Sequence, residues 1–171
     1  MNTCDEPVRV SDPGANTIAA KPVRICRGSL DDLEFAPNFG ELISQYADES
    51  SIDGMPAPNP QWPMYRQMEA MGTMNVICAH AGEKLVGFVT VLCSVLPHYG
   101  ARVCITESFY VDDAHRKCGT GLRMLREVKQ LARDLGAVGL LISAPSGGRL
   151  AEVLPRTGYR ETNRVFFRKL A

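Results

Sequence analysis

Residues 115–125, HRKCGTGLRML, set the cations Arg116 and Lys117 and the paired glycines Gly119 and Gly121 just ahead of an apolar helical repeat. A helix start leaves about four backbone N–H groups without partners and carries roughly half a positive charge, so the chain itself can bind an anion there. Glycine lets the backbone approach that anion closely, and two cations add to the same point. The chemistry is that of holding a pyrophosphate. Two better-known phosphate loops do not fit. KCGTGLR lacks the Lys-Ser/Thr after the second glycine of a Walker loop, and GTGLRM lacks the third glycine of a dinucleotide fingerprint. The plain alternative stays open: glycines that only turn the chain from strand into helix.

A strand and a helix must hold this loop. Upstream, ARVCITESFYV (101–111) alternates like a strand, with Val103, Ile105, Glu107, Phe109 and Val111 on one face and Cys104, Thr106, Ser108 and Tyr110 on the other. That puts one carboxylate in an otherwise apolar row. Downstream, Leu122, Leu125, Val128, Leu131, Ala132 and Leu135 recur at helical spacing and Gly136 supplies the stop. Further out, VRICR reads as a strand, and Ser29 and Asp32 stand at capping-box spacing for a helix opening at about residue 30. Pro37 and Asn38 interrupt that helix before FGELISQYADES. The proline-rich SIDGMPAPNPQWP reads as a loop presenting Trp62 and leading into a short helix, MYRQMEAM. NVICAHA and LVGFVTVLCSVL form a hairpin about AGEK, and PHYG breaks the run. AVGLLISA is a short buried strand, PSGGRLAEVLP a loop with a brief helix, and GYRETNRVFFRKL fits a terminal strand pair.

With 171 residues and 45% apolar content, the chain is sized for one domain with a real core. Residues 1–21 lack periodicity and are expected to form an extended N-terminal tail, leaving 22–171 as the domain. Nineteen basic residues against nineteen acidic ones leave no overall charge to attract nucleic acid or an anionic membrane; only a local stripe of Arg116, Lys117, Arg123 and Arg126 argues otherwise. No apolar run reaches the roughly 18–20 residues that span a bilayer, and the polar N-terminus is unlike a signal peptide. A soluble, cytoplasmic protein is expected. The six cysteines form no CxxC pair and do not cluster with the three histidines, so no metal is expected. Of these thiols, Cys118 alone lies in the glycine loop.

ESFYVDDAHRKCGTGLRMLREVKQLARDLGA resembles the central motif of the GNAT superfamily of N-acetyltransferases: a strand ending in Val, then Arg/Gln-x-x-Gly-x-Gly/Ala and a long helix. Arg116, Gly119 and Gly121 fill the diagnostic positions, and the order of elements is similar from about residue 22 onward. The resemblance implies an α/β (α+β) fold with a central mixed, mostly antiparallel twisted sheet of about six to seven strands flanked by about four helices. It implies acetyl-coenzyme A as acyl donor, lying in a split between two strands. The amides of Lys117, Cys118, Gly119, Thr120, Gly121 and Leu122, with Arg116, would hold its pyrophosphate. The backbone of Phe109 and Val111 would pair with its pantetheine.

The implied reaction is acetyl transfer to a primary amine, on a small molecule or a larger one. An alkylammonium with a pKa near 10.4 is neutral in only about one molecule in 10³ at pH 7, roughly 4–5 kcal/mol against the reactive form, so a base is needed. Glu107, nine residues before Arg116, matches the position where many members carry a glutamate proposed for that role. In the family, acceptor specificity is carried by the early helices and their loop and by the segment after the hairpin, so the resemblance implies acceptor contacts at Trp62, Tyr65 and Tyr99, with Asp48, Glu49, Asp53 and His98 nearby. The family tyrosine that protonates the departing thiolate aligns with Leu154, and the associated asparagine with Gly147. Both polar groups are missing, which leaves Ser143, Ser146, Tyr110 or solvent. Tyr159 is read as packing. A homodimer matches family habit, and a non-catalytic acyl-coenzyme A binding module is the alternative function.

Overall fold

Runs of Val, Ile, Leu and Cys build the centre of the computed structural model, which describes residues 22–170. The expected N-terminal tail lies outside the described residues. β1 (Val23–Gly28), β2 (Met74–Ala81), β3 (Lys84–Leu96) and β4 (Ala101–Val111) pair antiparallel in chain order, and β5 (Gly139–Leu141) joins β4 in parallel. β2 and β3 are covered on both faces along most of their length, which is why their sequences are almost continuously apolar.

On one face lie α1 (Asp31–Glu34), α2 (Phe39–Ser50) and α3 (Trp62–Ala70), over a core of Leu30, Leu33, Phe39, Leu42, Phe88 and Tyr110. On the other, α5 (Thr120–Asp134) lays Met124, Val128, Leu131 and Ala132 against Ile77, Val86, Val89 and Val91. Burying each of these large side chains contributes about 1.5–3 kcal/mol, which fixes α5 and therefore the loop at its start. The glycine at 87 is needed: a Cβ there would stand 2.9 Å from the Tyr110 carbonyl oxygen, so β3 and β4 approach closely just before that loop.

The capping-box spacing is realised only in its Asp32 half: α1 has Leu30 at its N-cap and no side-chain cap bond. The Ser29 N–H and hydroxyl donate to Asp32 Oδ2 at 2.7 and 2.9 Å, and the backbone bond above all holds the Asp32 pKa below the ordinary carboxylate range. A depressed folded pKa gives stability that is present above the unfolded value and lost as pH falls through the folded one. Asp32→Asn should therefore cost about 1 kcal/mol at about pH 7, with the deficit shrinking at about pH 3, as urea melts at the two pH values will read.

Three expectations need correction. The sheet has five strands among the described residues, not six to seven, and residues 159–170, read as a terminal strand pair, contain no strand. Val165, Phe166 and Leu170 are 84–90% exposed. The apolar residues Val165, Phe166 and Phe167 are consecutive rather than alternating, so no single face is apolar, and no glycine or proline follows Gly158 to turn a hairpin. The last expected inner strand is also shorter, ending at Leu141 instead of running through Ala144.

Candidate functional site

The parallel ladder between β4 and β5 covers Val103, Cys104 and Ile105 opposite Gly139, Leu140 and Leu141, and stops there. One further bond, from the Ser143 N–H to Thr106 Oγ1 (3.1 Å), ties the two segments. Past that point β4 is paired to β3 on one side, and no strand lies against its other edge among the described residues. The sheet is split next to Phe109 and Val111. The Val111 carbonyl is already taken, accepting from Arg116 Nε at 2.7 Å, so the free edge lies mainly upstream of it.

β4 leads into a single turn, α4 (Asp113–Arg116), capped by Asp112, whose carboxylate accepts from the Ala114 N–H at 3.3 Å. Gly119 then adopts φ +78° and opens α5 without a side-chain cap. The first helical hydrogen bond runs from the Arg123 N–H to the Gly119 carbonyl at 3.1 Å, so the amides of Thr120, Gly121 and Leu122 precede it and have no helical acceptor. A Cβ built on Gly119 meets nothing within 4 Å, and one on Gly121 meets only Val111 Cγ2 at 4.0 Å. The glycines thus face open space rather than a packed neighbour.

The loop cations divide. Lys117 is exposed. Arg116 turns inward: its guanidinium lies 5.2 Å from the Tyr110 ring centroid and pairs with Glu49 of α2 and Asp113, bracing α2 against the end of β4. The Cys118 thiol donates to the His115 carbonyl at 3.0 Å and sits 3.2 Å from Thr120 Oγ1, a local bond that shapes the turn. Leu122 is partly exposed on the first turn of α5.

The carboxylate is placed by an irregularity. Thr90 pairs with Ser108 but Val91 pairs with Thr106, so Glu107 is an extra residue on β4, a β-bulge. The face alternation resets there. Cys104, Phe109 and Val111 all lie on the α5 side, while Glu107 leaves the expected row and faces α3. Its Oε1 accepts from the Tyr65 hydroxyl at 3.0 Å and its Oε2 from Thr90 Oγ1 at 2.6 Å. Thr90 in turn lies 2.6 Å from Ser108 Oγ and accepts from the Ser108 N–H at 3.1 Å. Burial and the adjacent Glu107 charge push the Tyr65 pKa well above its usual value, which keeps the phenol a donor.

This carboxylate lies on the floor of a cavity of about 170 Å³ under α1–α3, walled by Leu30, Leu33, Phe39, Ile43, Tyr46, Trp62, Tyr65 and the loop residues Pro58–Pro60. Trp62 and Tyr65 line it. Tyr99 does not: it is 73% exposed and packs edge-on to His98 at the β3–β4 turn. Asp48 and Asp53 are exposed outside the cavity. Thr90 was missed by sequence reasoning, although a lone hydroxyl inside VGFVTVLC was the available signal. Leu154 is buried and apolar, so no phenol stands there. Tyr110 donates to Gln45 Oε1 at 3.0 Å on the helical side, its pKa raised first by burial, and Ser143 and Ser146 are exposed.

A glycine loop with free helix-start amides, a sheet whose β4–β5 pairing stops at Ile105, and a carboxylate in a cavity form the site, and comparison with known proteins gives the class. The chain belongs to the acetyltransferase (GNAT) family, whose model matches residues 40–149. Among solved structures it is similar to an aminoglycoside acetyltransferase from an uncultured soil metagenomic sample, in complex with sisomicin, at 18% identity over 87% of this chain and 97% of that one, with a TM-score of 0.66. It is similar also to a ribosomal-protein-alanine N-acetyltransferase from Brucella melitensis biovar Abortus 2308 (21% identity, 85% and 96% coverage, TM-score 0.62). A putative acetyl transferase from Pyrococcus furiosus gives 14% identity, 87% and 100% coverage and a TM-score of 0.62. No curated protein matches the sequence significantly. Among the described residues no helix is long and apolar enough to cross a membrane.

Proposed function

We propose that this chain transfers an acetyl group from acetyl-coenzyme A to a primary amine, with Glu107 as the base. The observation that carries the reading is the bulge at Glu107, which presents a hydrogen-bonded carboxylate to a cavity at the head of the free edge of β4. The donor, when bound, supplies an acyl group activated as a thioester. The amides of Thr120, Gly121 and Leu122 hold the diphosphate, Lys117 adds charge beside them, and the edge of β4 at Phe109 aligns pantetheine. Arg116 and Val111 support this arrangement by bracing the strand end rather than by touching the donor through their side chains.

Glu107 takes one proton from the incoming ammonium, directly or through water, and leaves a lone pair on nitrogen. Tyr65 and Thr90 donate to the carboxylate, which fixes its orientation toward the cavity. The new C–N bond forms as the C–S bond breaks, the nitrogen gives up its second proton to solvent, and the departing thiolate is protonated from solvent. A non-catalytic acyl-coenzyme A binding module is the second reading, favoured by one observation, the apolar Leu154 where the family carries its phenol.

Free-thiol release from acetyl-coenzyme A in the presence of a panel of amines separates the two readings. The transferase reading expects amine-dependent release above the hydrolytic background. Coenzyme A binding with no release for any amine contradicts it and leaves the binding module.

A further inference from the structure

The cavity over Glu107 is specific in what it lacks. Its walls are aromatic and aliphatic, with Phe39 and Trp62 rings 5.6 Å apart and Trp62 and Tyr65 rings 6.1 Å apart, edge to face. Its polar floor is Thr90, Glu107 and Ser108, and the Thr90 and Ser108 hydroxyls are already engaged with each other and with Glu107. Besides the carboxylate, the lining offers a ligand only the Tyr46 hydroxyl and, on the loop wall, Asn59 and the backbone of Pro58–Pro60.

Volume and charge narrow the choice further. A closed apolar cavity of about 150 Å³ lined by Leu, Ile and Phe admits benzene, so the space of about 170 Å³ here, which opens to solvent, seats one ring and a short arm and leaves anything larger outside its mouth. Drug-sized ligands occupy roughly 300–1,000 Å³. A polyhydroxylated amine would bury more hydroxyls than these few groups can partner, each one left unpaired weakening binding by about tenfold or more. A polycation would find a single carboxylate, because Glu49 is paired to Arg116 and Asp48 and Asp53 lie outside the cavity. A lone ammonium suits the site, with Glu107 below it and the aromatic rings of Trp62 and Tyr65 beside it.

We propose that the acceptor is a primary amine carried on one compact apolar group, an arylalkylamine in chemical class, rather than a polyhydroxylated or polycationic amine. This rests on the transferase reading for its chemistry, but the pocket's preference can be measured without turnover. Trp62 is the single tryptophan in the chain and lines the cavity, so its fluorescence reports occupancy directly.

The full-length protein with saturating coenzyme A is titrated with 2-phenylethylamine, kanamycin and spermidine, and thiol release is followed separately with acetyl-coenzyme A. The expected result is a saturable change in Trp62 emission with 2-phenylethylamine, half-saturating at least about tenfold lower than with the other two, and weakened about tenfold in Glu107→Gln. Saturation without thiol release keeps the ligand class and overturns the transferase reading. Thiol release with kanamycin or spermidine, and no saturation with 2-phenylethylamine, keeps the transferase and overturns the ligand class. Silence in both assays with every amine overturns both.

Discussion

Replacing Gly119 with aspartate should leave the fold close to its original stability while reducing coenzyme A affinity by at least about 100-fold, or about 2.7 kcal/mol. The two effects separate because they have different causes. Gly119 has φ +78° and open space where a Cβ would go, so the substitution meets no clash and costs about 1–2 kcal/mol for the left-handed backbone, at the low end for Asp. A carboxylate at the start of α5, which has no side-chain cap, returns about 0.3–1 kcal/mol through the helix dipole. The melting temperature should move by only about 2–4 °C. The same carboxylate competes for the amides of Thr120, Gly121 and Leu122 and repels a diphosphate. Urea melts and titration calorimetry on one preparation decide the matter. An unchanged affinity would mean that the glycines only turn the chain.

Glu107→Gln should lower kcat by about 10²–10⁴ with amine acceptors and leave coenzyme A affinity untouched. The glutamine keeps the shape but brings an amide NH₂ toward Tyr65 or Thr90, both of which donate to the carboxylate; one of those bonds is lost, for about 1 kcal/mol of stability. The sign of the pH dependence is the sharper readout. A base is needed because the ammonium must lose a proton, and solution supplies neutral amine increasingly as pH rises toward the amine pKa near 10.4. The gap between variant and wild type should therefore narrow with rising pH. Thiol release measured from about pH 6.5 to about pH 9.5 checks this, and a gap that stays constant assigns Glu107 a purely structural role.

What could be read from the sequence depended on how local the cause was. The strand, loop and helix around Gly119 are specified within about thirty residues by a glycine pair and a 3.6-residue apolar repeat, and the structure has them in place. The position of Glu107 was readable and its direction was not. Alternation counted straight through ARVCITESFYV puts Glu107 in a row with Phe109 and Val111, whereas the bulge created opposite Thr90 turns it to the other face. That bulge depends on hydroxyl contacts between strands 17 and 18 positions apart, beyond any local pattern.

Arg116 was obscured in the same way, since its acid partner Glu49 stands 67 positions earlier. Trp62 and Tyr65 stand at the cavity over Glu107 because the proline-rich loop leads into α3, which covers that face of the sheet. Tyr99, expected beside them, does not: the β3–β4 turn lies six strand positions from Glu107, about 20 Å at 3.3 Å per residue, and Tyr99 stands exposed there, outside the cavity.

The central claim is that peptide hydrogens at the start of α5 hold a diphosphate, and its most direct test is calorimetric titration of the full-length chain with coenzyme A and, in parallel, with pantetheine. Coenzyme A should bind at least about 100-fold more tightly, the difference of about 2.7 kcal/mol residing in the part of the molecule that pantetheine lacks. Equal affinities, or no heat with coenzyme A at all, would contradict it.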